Sequence, residues 1–235
     1  MAYWIDNADS YICSACGYEC NNPNKLQNGP GRCPICNSTM GVGAERKIGF
    51  VFAMEEEAEP YKELLKGNNV VIAVSGVGRT NAALTTVELI SRGVSLIINI
   101  GTCGSTIQSK NTWFTPNKFY DGDFDLSAFG KHTKDPLGVN SEDDFTDVIP
   151  IYTYSSFVQD AEPNRLIDME SYDIVAVCRH FNIPCLVYKV ISDNADSNSH
   201  ENFDNVANDV SKRTAEEILE DVKVRLGGMD ETYII

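Results

Sequence analysis

Residues 94 to 101 read VSLIINIG, an almost uninterrupted apolar run that ends at a glycine. A short run of this kind, without polar alternation, is typical of a strand buried on both faces. Two similar runs precede it, KIGFVFAM at 47–54 and VVIAVSG at 70–76, and a further one, IPCLVYKVIS, follows at 183–192. The sequence therefore predicts several buried strands.

The segments between these runs have helical signals. EEEAEPYKELLK, residues 55 to 66, begins acidic and ends basic, which suits the helix dipole. RTNAALTTVELISRG, residues 79 to 93, ends at a glycine that can close a helix. We expect further helices from about Ser171 to Phe181 and from about Asn202 to Leu226. This alternation predicts an α/β fold with a mixed, largely parallel central sheet flanked by helices.

The N-terminal segment has a different signal, two Cys-x-x-Cys knuckles separated by sixteen residues. The cysteines are Cys13, Cys16, Cys33 and Cys36. Two such turns facing each other complete a tetrahedral thiolate shell around one zinc or iron ion. A segment this short cannot bury enough apolar surface to fold unaided, so the metal should contribute its folding energy. An architectural zinc ribbon and a redox site both remain open.

The glycine-containing stretch GVGAERK, residues 41 to 47, marks the joint between this ribbon and the rest of the chain. We expect a metal ribbon over residues 1–42 and a second domain over residues 43–235. The length of 235 residues suffices for one sizeable core in addition to the ribbon.

Composition excludes several classes of partner. Nineteen basic and thirty-four acidic residues give a net charge of −15, which repels nucleic acids and anionic membranes. No apolar run is long enough to span a bilayer, and MAYWIDNADS lacks the pattern of a secretory signal. Eight cysteines, at least four of them assigned to a metal, favour the reducing cytoplasm. We expect a cytoplasmic protein with a small-molecule ligand, and neither nucleic acid nor membrane as partner.

Polar residues follow four of the predicted strands where each strand ends. They are Glu55, Glu56 and Glu57; Ser75, Gly76 and Gly78; Thr102, Cys103 and Gly104; and Ser192 and Asp193. Ligands of open α/β sheets bind at the carboxyl ends of the strands. We therefore expect the active site there.

Five motifs carry a resemblance to a known family. AMEEEAE, SGVGRTNAA, IINIGTCGS, DMES and VISDNAD, in this order, closely resemble the 5′-methylthioadenosine/S-adenosylhomocysteine nucleosidases of the purine nucleoside phosphorylase superfamily, over roughly Lys47 to Leu226. YICSACGY and GRCPIC resemble rubredoxin and the rubredoxin-like ribbon of rubrerythrins. The first resemblance implies a homodimer that hydrolyses the N-glycosidic bond of an adenine nucleoside, releasing adenine and the 5′-substituted ribose. It implies no cofactor for the hydrolysis itself.

The same resemblance assigns three carboxylates to catalysis. Asp193 matches the aspartate that acts at purine N7 and the exocyclic amine, and Glu170 matches the glutamate that binds the ribose hydroxyls. Glu57 matches the residue that positions and deprotonates the attacking water. For Glu57 the structural alternative is a helix cap. Asp193 and Glu170 lie between apolar runs, where an unpaired carboxylate is costly.

Apolar residues are assigned to the pocket walls by the same resemblance. Phe157 and Val158 match the segment that stacks on the purine and hydrogen-bonds its edge, and Met169 would pack under the sugar. The residues expected around an apolar 5′-thio substituent are Met54, Val77 and Phe203. Aromatic, β-branched and methionine side chains are also ordinary core residues, so simple packing remains the alternative.

Water is the expected nucleophile. Phosphorylases of the superfamily hold phosphate with arginines in the third strand and after the first, and this chain has Asn99 and an acidic stretch at the corresponding places. Arg79 is interpreted as a residue that opens a helix. Two alternatives remain: a hydrolase of another purine nucleoside, such as futalosine or adenosine, and a redox or metal-sensing protein whose nucleosidase-like domain only binds a nucleoside.

Overall fold

The computed structural model describes eleven stretches of the chain, and their strands form two sheets. The stretches are residues 2–7, 10–13, 19–20, 40–41, 47–106, 112–124, 137–138, 150–158, 161–163, 165–195 and 212–226.

The first sheet is N-terminal and is described by its backbone. Its strands are β1 (Ala2–Asn7), β2 (Ser10–Cys13), β3 (Glu19–Cys20) and β4 (Met40–Gly41), in the order β3-β2-β1-β4. Strand β2 pairs antiparallel with β1 and β3, and β4 pairs parallel with β1. Of the predicted metal ligands, Cys13 ends β2, and the other three lie outside the described residues. The metal site stays a prediction.

The second sheet contains nine strands among the described residues, with four helices beside it. The strands are β5 (Lys47–Phe52), β6 (Val70–Val74), β7 (Val94–Ser105), β8 (Trp113–Phe114), β9 (Lys118–Asp121), β10 (Leu137–Gly138), β11 (Ile151–Thr153), β12 (Leu166–Asp168) and β13 (Cys185–Asp193). The helices are α1 (Glu55–Lys62), α2 (Arg79–Ser91), α3 (Ser171–His180) and α4 (Lys212–Arg225).

Strand β7 connects the two halves of this sheet. It pairs parallel with β5 through its first half and with β13 along most of its length. Its last residues pair antiparallel with β12, where Ile167 lies opposite Gly104. Because β12 is antiparallel to β7, the carboxyl end of β12 points back towards the carboxyl ends of β5 and β13. The predicted strand at 94–101 therefore extends to Ser105, since these partners satisfy the backbone of its polar end.

Apolar layers cover both faces of the sheet. Leu96, Ile98 and Ile100 of β7 belong to one core cluster, which also contains residues of α1 and α4. Ile97 and Cys103 belong to the other cluster, with residues of α2 and α3. This two-sided burial explains why β7 is apolar without alternation. The predicted mixed, largely parallel α/β sheet is confirmed.

The predicted last helix is only partly described. Residues 202–211 lie outside the described residues, and α4 covers Lys212–Arg225. Its buried side chains Ala215, Ile218, Leu219 and Val222 pack into the first cluster. None of the helices described is long and apolar enough to cross a membrane.

Replacing Ile218 by alanine should lower the free energy of unfolding by about 2–5 kcal/mol, because this fully buried side chain would leave a cavity beneath α4. Denaturant unfolding measures the loss. Glu216→Ala, at an exposed position of the same helix, should change stability by less than about 0.5 kcal/mol. Equal losses in the two variants would contradict the docking of α4.

Candidate active site

A cavity opens where β5, β7, β12 and β13 end, and the residues predicted for the active site meet there. Its empty space is about 530 Å³ including the mouth, a size typical of small-molecule sites. The three predicted catalytic carboxylates line it. The predicted substrate-binding residues that line it are Met54, Val77, Thr102, Cys103, Gly104, Phe157, Val158, Met169 and Ser192. Phe203 lies outside the described residues.

Glu57 is buried in the first turn of α1 and accepts four hydrogen bonds. Its Oε2 accepts from the amides of Ala53 and Met54, at 3.0 and 3.1 Å. Its Oε1 accepts from the amide and the hydroxyl of Thr102, at 2.7 and 2.8 Å. The cap interpretation and the functional one are thus compatible. Oε2 caps the start of α1, where the Met54 side chain cannot, and Oε1 contacts Thr102 of β7 beside the cavity.

Glu170 precedes α3 and is also buried. Its Oε1 accepts a hydrogen bond of 2.9 Å from the amide of Gly78, in the turn before α2. Gly78 has φ of +105°, a backbone conformation that favours glycine. No hydrogen bond to Oε2 is seen among the described residues, so this oxygen can receive a ligand.

Burial raises the pKa of Glu170 to about 7. The negative charges of Asp168 and Glu57 act in the same direction, whereas the Lys189 ammonium and the Gly78 amide oppose the rise. A carboxyl with this pKa changes its charge near neutral pH.

Asp193 ends β13 and is 3% exposed. Its Oδ1 accepts from the Ala195 amide and its Oδ2 from the Ser192 hydroxyl, both at 2.7 Å. A Cβ at Gly104 would lie only 3.0 Å from Oδ1. Because Gly104 has no Cβ, the Asp193 carboxylate has room at the cavity wall.

Lys189 is a charged residue of the site that the sequence analysis missed. It is 1% exposed, and its Nζ lies 2.8 Å from Oδ2 of Asp168. Asp168 is held in turn by the Thr153 hydroxyl at 2.6 Å and the Ser171 amide at 2.9 Å. The sequence signal for this residue was a single charge inside the apolar run IPCLVYKVIS. Since a lysine is rarely buried unless it pairs with an acidic group, its position in a buried strand predicts such a partner.

The Lys189 ammonium and the Glu57 carboxylate lie over the same point of β7. Lys189 is opposite Gly101 in the β13–β7 register. A Cβ at Gly101 would be 3.3 Å from Oε1 of Glu57 and 3.4 Å from Nζ of Lys189. Burial alone would lower the pKa of Lys189, but the neighbouring carboxylates, Asp168 first, outweigh burial and raise it above the ordinary lysine value.

Neither Asn99 nor Arg79 offers phosphate a cation in the cavity. Asn99 is buried and donates from Nδ2 to the carbonyl of Val51, at 3.0 Å. The Arg79 guanidinium contacts three aspartates instead of the cavity. No arginine lines the cavity within the described part of the chain.

A family model described as the phosphorylase superfamily matches residues 47–148 and 156–222, which is more than half of the chain. The chain belongs to the phosphorylase superfamily. This confirms the superfamily part of the resemblance. The match begins at residue 47, so the resemblance of the N-terminal segment to rubredoxin stays a prediction.

Two curated proteins similar to this chain are nucleosidases. The 5′-methylthioadenosine/S-adenosylhomocysteine nucleosidase of Staphylococcus carnosus is 24% identical over 227 residues, covering 75% of this chain and 99% of that protein. The aminodeoxyfutalosine nucleosidase of Helicobacter pylori is 26% identical over 208 residues, covering 68% of this chain and 90% of that protein.

Two solved structures have the same fold as this chain. The futalosine hydrolase of Helicobacter pylori superposes with a TM-score of 0.65 at 23% identity, covering 75% of this chain and 98% of that chain. The Streptococcus pneumoniae 5′-methylthioadenosine/S-adenosylhomocysteine nucleosidase, with a transition-state inhibitor, gives a TM-score of 0.65 at 22% identity, covering 78% and 100%.

The raised pKa of Glu170 predicts that stability falls as the pH rises. The unfolded carboxyl titrates near 4.5 and the folded one near 7, so between these values the folded state binds more protons. The free energy of unfolding of the wild type, relative to Glu170→Gln, should therefore drop by roughly 2 kcal/mol between about pH 5 and pH 8.

Denaturant unfolding of both proteins across this pH range measures the effect. The exposed neighbour variant Glu56→Gln should track the wild type at every pH. A difference between wild type and Glu170→Gln that stays constant, or grows with pH, would contradict the raised pKa.

Proposed function

We propose that this chain hydrolyses the N-glycosidic bond of an adenine nucleoside of the 5′-methylthioadenosine or S-adenosylhomocysteine type. The products are adenine and the 5′-substituted ribose. The observation that carries the proposal is the gathering of Glu57, Glu170 and Asp193, from three separate stretches of a superfamily fold, around one cavity. The Staphylococcus carnosus relative is a nucleosidase of this kind.

Glu170 and Asp193 would act on the two sides of the bond that breaks. The bond from C1′ to the purine nitrogen breaks with its electron pair going to the base, so the ribose gains oxocarbenium character. Asp193, which must enter this step as the protonated acid, gives its proton to purine N7, and adenine leaves as a neutral base. Glu170, ionised, accepts hydrogen bonds from the ribose hydroxyls through Oε2 and stabilises the positive sugar.

Glu57 would take the proton of the water that attacks C1′. A carboxylate has about four acceptor positions, and the described structure fills them with four hydrogen bonds. Binding a water must therefore displace one of these donors. The Thr102 hydroxyl is the donor that can leave by rotating, because the others are backbone amides. Lys189 balances the charge that Glu57 carries.

Hydrolysis suits this cavity better than phosphorolysis. Among the described residues, the Glu57, Asp168 and Glu170 carboxyl groups are buried with one ammonium, that of Lys189. This excess of acidic groups disfavours an anionic nucleophile, and the Lys189 ammonium is already paired with Asp168. Water carries no such penalty.

A futalosine-type nucleoside is the second candidate substrate. The observation that favours it is the similarity to the Helicobacter pylori aminodeoxyfutalosine nucleosidase. Both candidates are purine nucleosides, and they share the proposed cleavage of the N-glycosidic bond.

The predicted catalytic residues supply the first test. Glu57→Gln, Glu170→Gln and Asp193→Asn should each lower the turnover number at least about 100-fold, because each removes a charge or a proton that the reaction uses. Release of adenine from 5′-methylthioadenosine measures turnover, and unfolding curves establish folding. Glu56→Gln, on the exposed side of α1, is the matched control for Glu57→Gln and should keep the wild-type rate.

A panel of purine nucleosides, each assayed with and without phosphate, identifies the substrate and the nucleophile. Free sugar, not sugar 1-phosphate, is the expected product by mass. A rate proportional to phosphate concentration would overturn hydrolysis, and wild-type turnover in any of the three variants would remove that residue from the mechanism.

We further propose that the four cysteines hold one zinc or iron ion, and that the protein is a cytoplasmic homodimer. The backbone supports the metal site, because Cys13 ends β2 and the next strand, β3, returns antiparallel to it. A CSAC knuckle fits between two such strands. The bound metal would contribute folding free energy to the N-terminal sheet.

Replacing Cys16 or Cys36 by serine should abolish metal binding, because a tetrathiolate site that loses one ligand holds the ion far less tightly. Metal analysis of the purified protein should give one ion per chain for the wild type and for the control Cys20→Ser, which retains both knuckles. Full metal content in Cys16→Ser would contradict the site. A coloured protein containing iron would favour the redox interpretation, and a colourless one containing zinc the architectural one.

A further inference from the structure

We propose that Arg79 is a positioning residue for the hydrolysis proposed above, on which this inference rests. Through its ion pairs it fixes the cavity wall formed by Ser156, Phe157 and Val158, and it fixes the turn whose amide binds Glu170. Arg79 does not itself line the cavity. It is the first residue of α2, directly after Gly78.

Arg79 joins three acidic residues from different segments. Its Nη1 and Nη2 donate to the two oxygens of Asp121, at 2.7 and 2.8 Å. Nη1 also donates to Asp123 at 3.1 Å, and Nε donates to Asp173 at 2.7 Å. A weaker contact of 3.5 Å from Nη2 to Asp173 occupies the fifth N–H. The guanidinium is thus fully engaged, with its side chain only 17% exposed.

The first route from Arg79 to the cavity passes through Asp123. Oδ2 of Asp123, which receives Arg79, also accepts from the amide and the hydroxyl of Ser155, at 2.7 and 2.5 Å. The three residues after Ser155 form a wall of the cavity, including Phe157. The position of this wall therefore depends on where Arg79 holds Asp123.

The second route passes through the starts of α2 and α3. The Gly78 amide binds Oε1 of Glu170, and Arg79, the next residue, binds Asp173 in the first turn of α3. The adjacent residues Gly78 and Arg79 thus clamp Glu170 and Asp173, which lie at the start of α3. This clamp sets the direction of the Glu170 carboxylate and keeps Oε2 available to the ribose.

A purely structural ion-pair network would have different consequences. Partly exposed ion pairs contribute little to stability, and their loss would leave substrate affinity unchanged. A positioning role predicts instead that each route has its own kinetic effect. Loss of the Asp123 route should loosen the wall and raise KM, whereas loss of the Asp173 route should misplace Glu170 and lower kcat.

The test compares KM and kcat for 5′-methylthioadenosine in four variants. Asp123→Ala should raise KM about tenfold with kcat within about twofold, and Asp173→Ala should lower kcat about tenfold, since a misplaced group costs rate. Arg79→Met should both raise KM and lower kcat, because it removes both routes. Arg79→Met combined with Asp123→Ala should have the KM of Arg79→Met alone, because both changes cut one route.

Arg92→Met is the matched control. Arg92 follows α2 at its other end, is exposed and pairs with Glu88. Its loss should leave both kinetic constants within about twofold of wild type. If Arg79→Met fails to fold, Arg79→Lys replaces it, since lysine keeps the charge but cannot contact three carboxylates in the same geometry.

Three results would overturn the inference. They are unchanged KM and kcat in the Arg79 variant, a multiplication of the KM effects in the double variant, and equal changes in Arg92→Met. If the wild type releases no base from any nucleoside, the proposed function itself fails and this inference falls with it. If the wild type turns over and Arg79→Met matches it, only the positioning role fails.

Discussion

The ion pair between Lys189 and Asp168 is the constraint on which the site depends. Removing two charges from water costs several kcal/mol for each, so the pair must be well coordinated to be tolerated. Thr153 and the Ser171 amide provide that coordination for Asp168. The same ammonium is the only cation that faces Glu57 and Glu170 among the described residues. Without it, the neighbouring carboxylates would be buried beside each other with only hydrogen bonds, and no cation of the described residues, to compensate their charge.

The charge imbalance around this pair also selects what the cavity can bind. Burial raises the pKa of Glu170, and the charges of Asp168 and Glu57 add to the rise. Among the described residues of the site, acidic groups outnumber the one ammonium, and this imbalance penalises anions. A sugar that becomes positive during bond cleavage gains most from such surroundings, because the negative charge is already in place when the positive charge develops. The net charge of −15 on the whole chain acts in the same direction at longer range.

Much of this arrangement could be predicted from the sequence, because strands buried on both faces have continuous apolar runs and their polar ends mark the site. The runs did not reveal that β12 returns antiparallel to β7, since strand direction depends on pairing. Lys189 was missed because one polar residue does not interrupt an apolar pattern, although its burial is the costly feature. The role of Arg79 could not be predicted either, because its partners lie 42, 44 and 94 residues further along the chain.

The sequence GTCG at the end of β7 illustrates how the fold provides room for these charges. Gly101 leaves space for Glu57 and Lys189, and Gly104 leaves space for Asp193. Between them, Thr102 donates to Glu57, while Cys103 is buried in the core. Any side chain at either glycine would meet a charged group at about 3 Å, so the carboxylate would have to move before the backbone did. The motif is therefore a steric requirement of packing acidic side chains against a central strand.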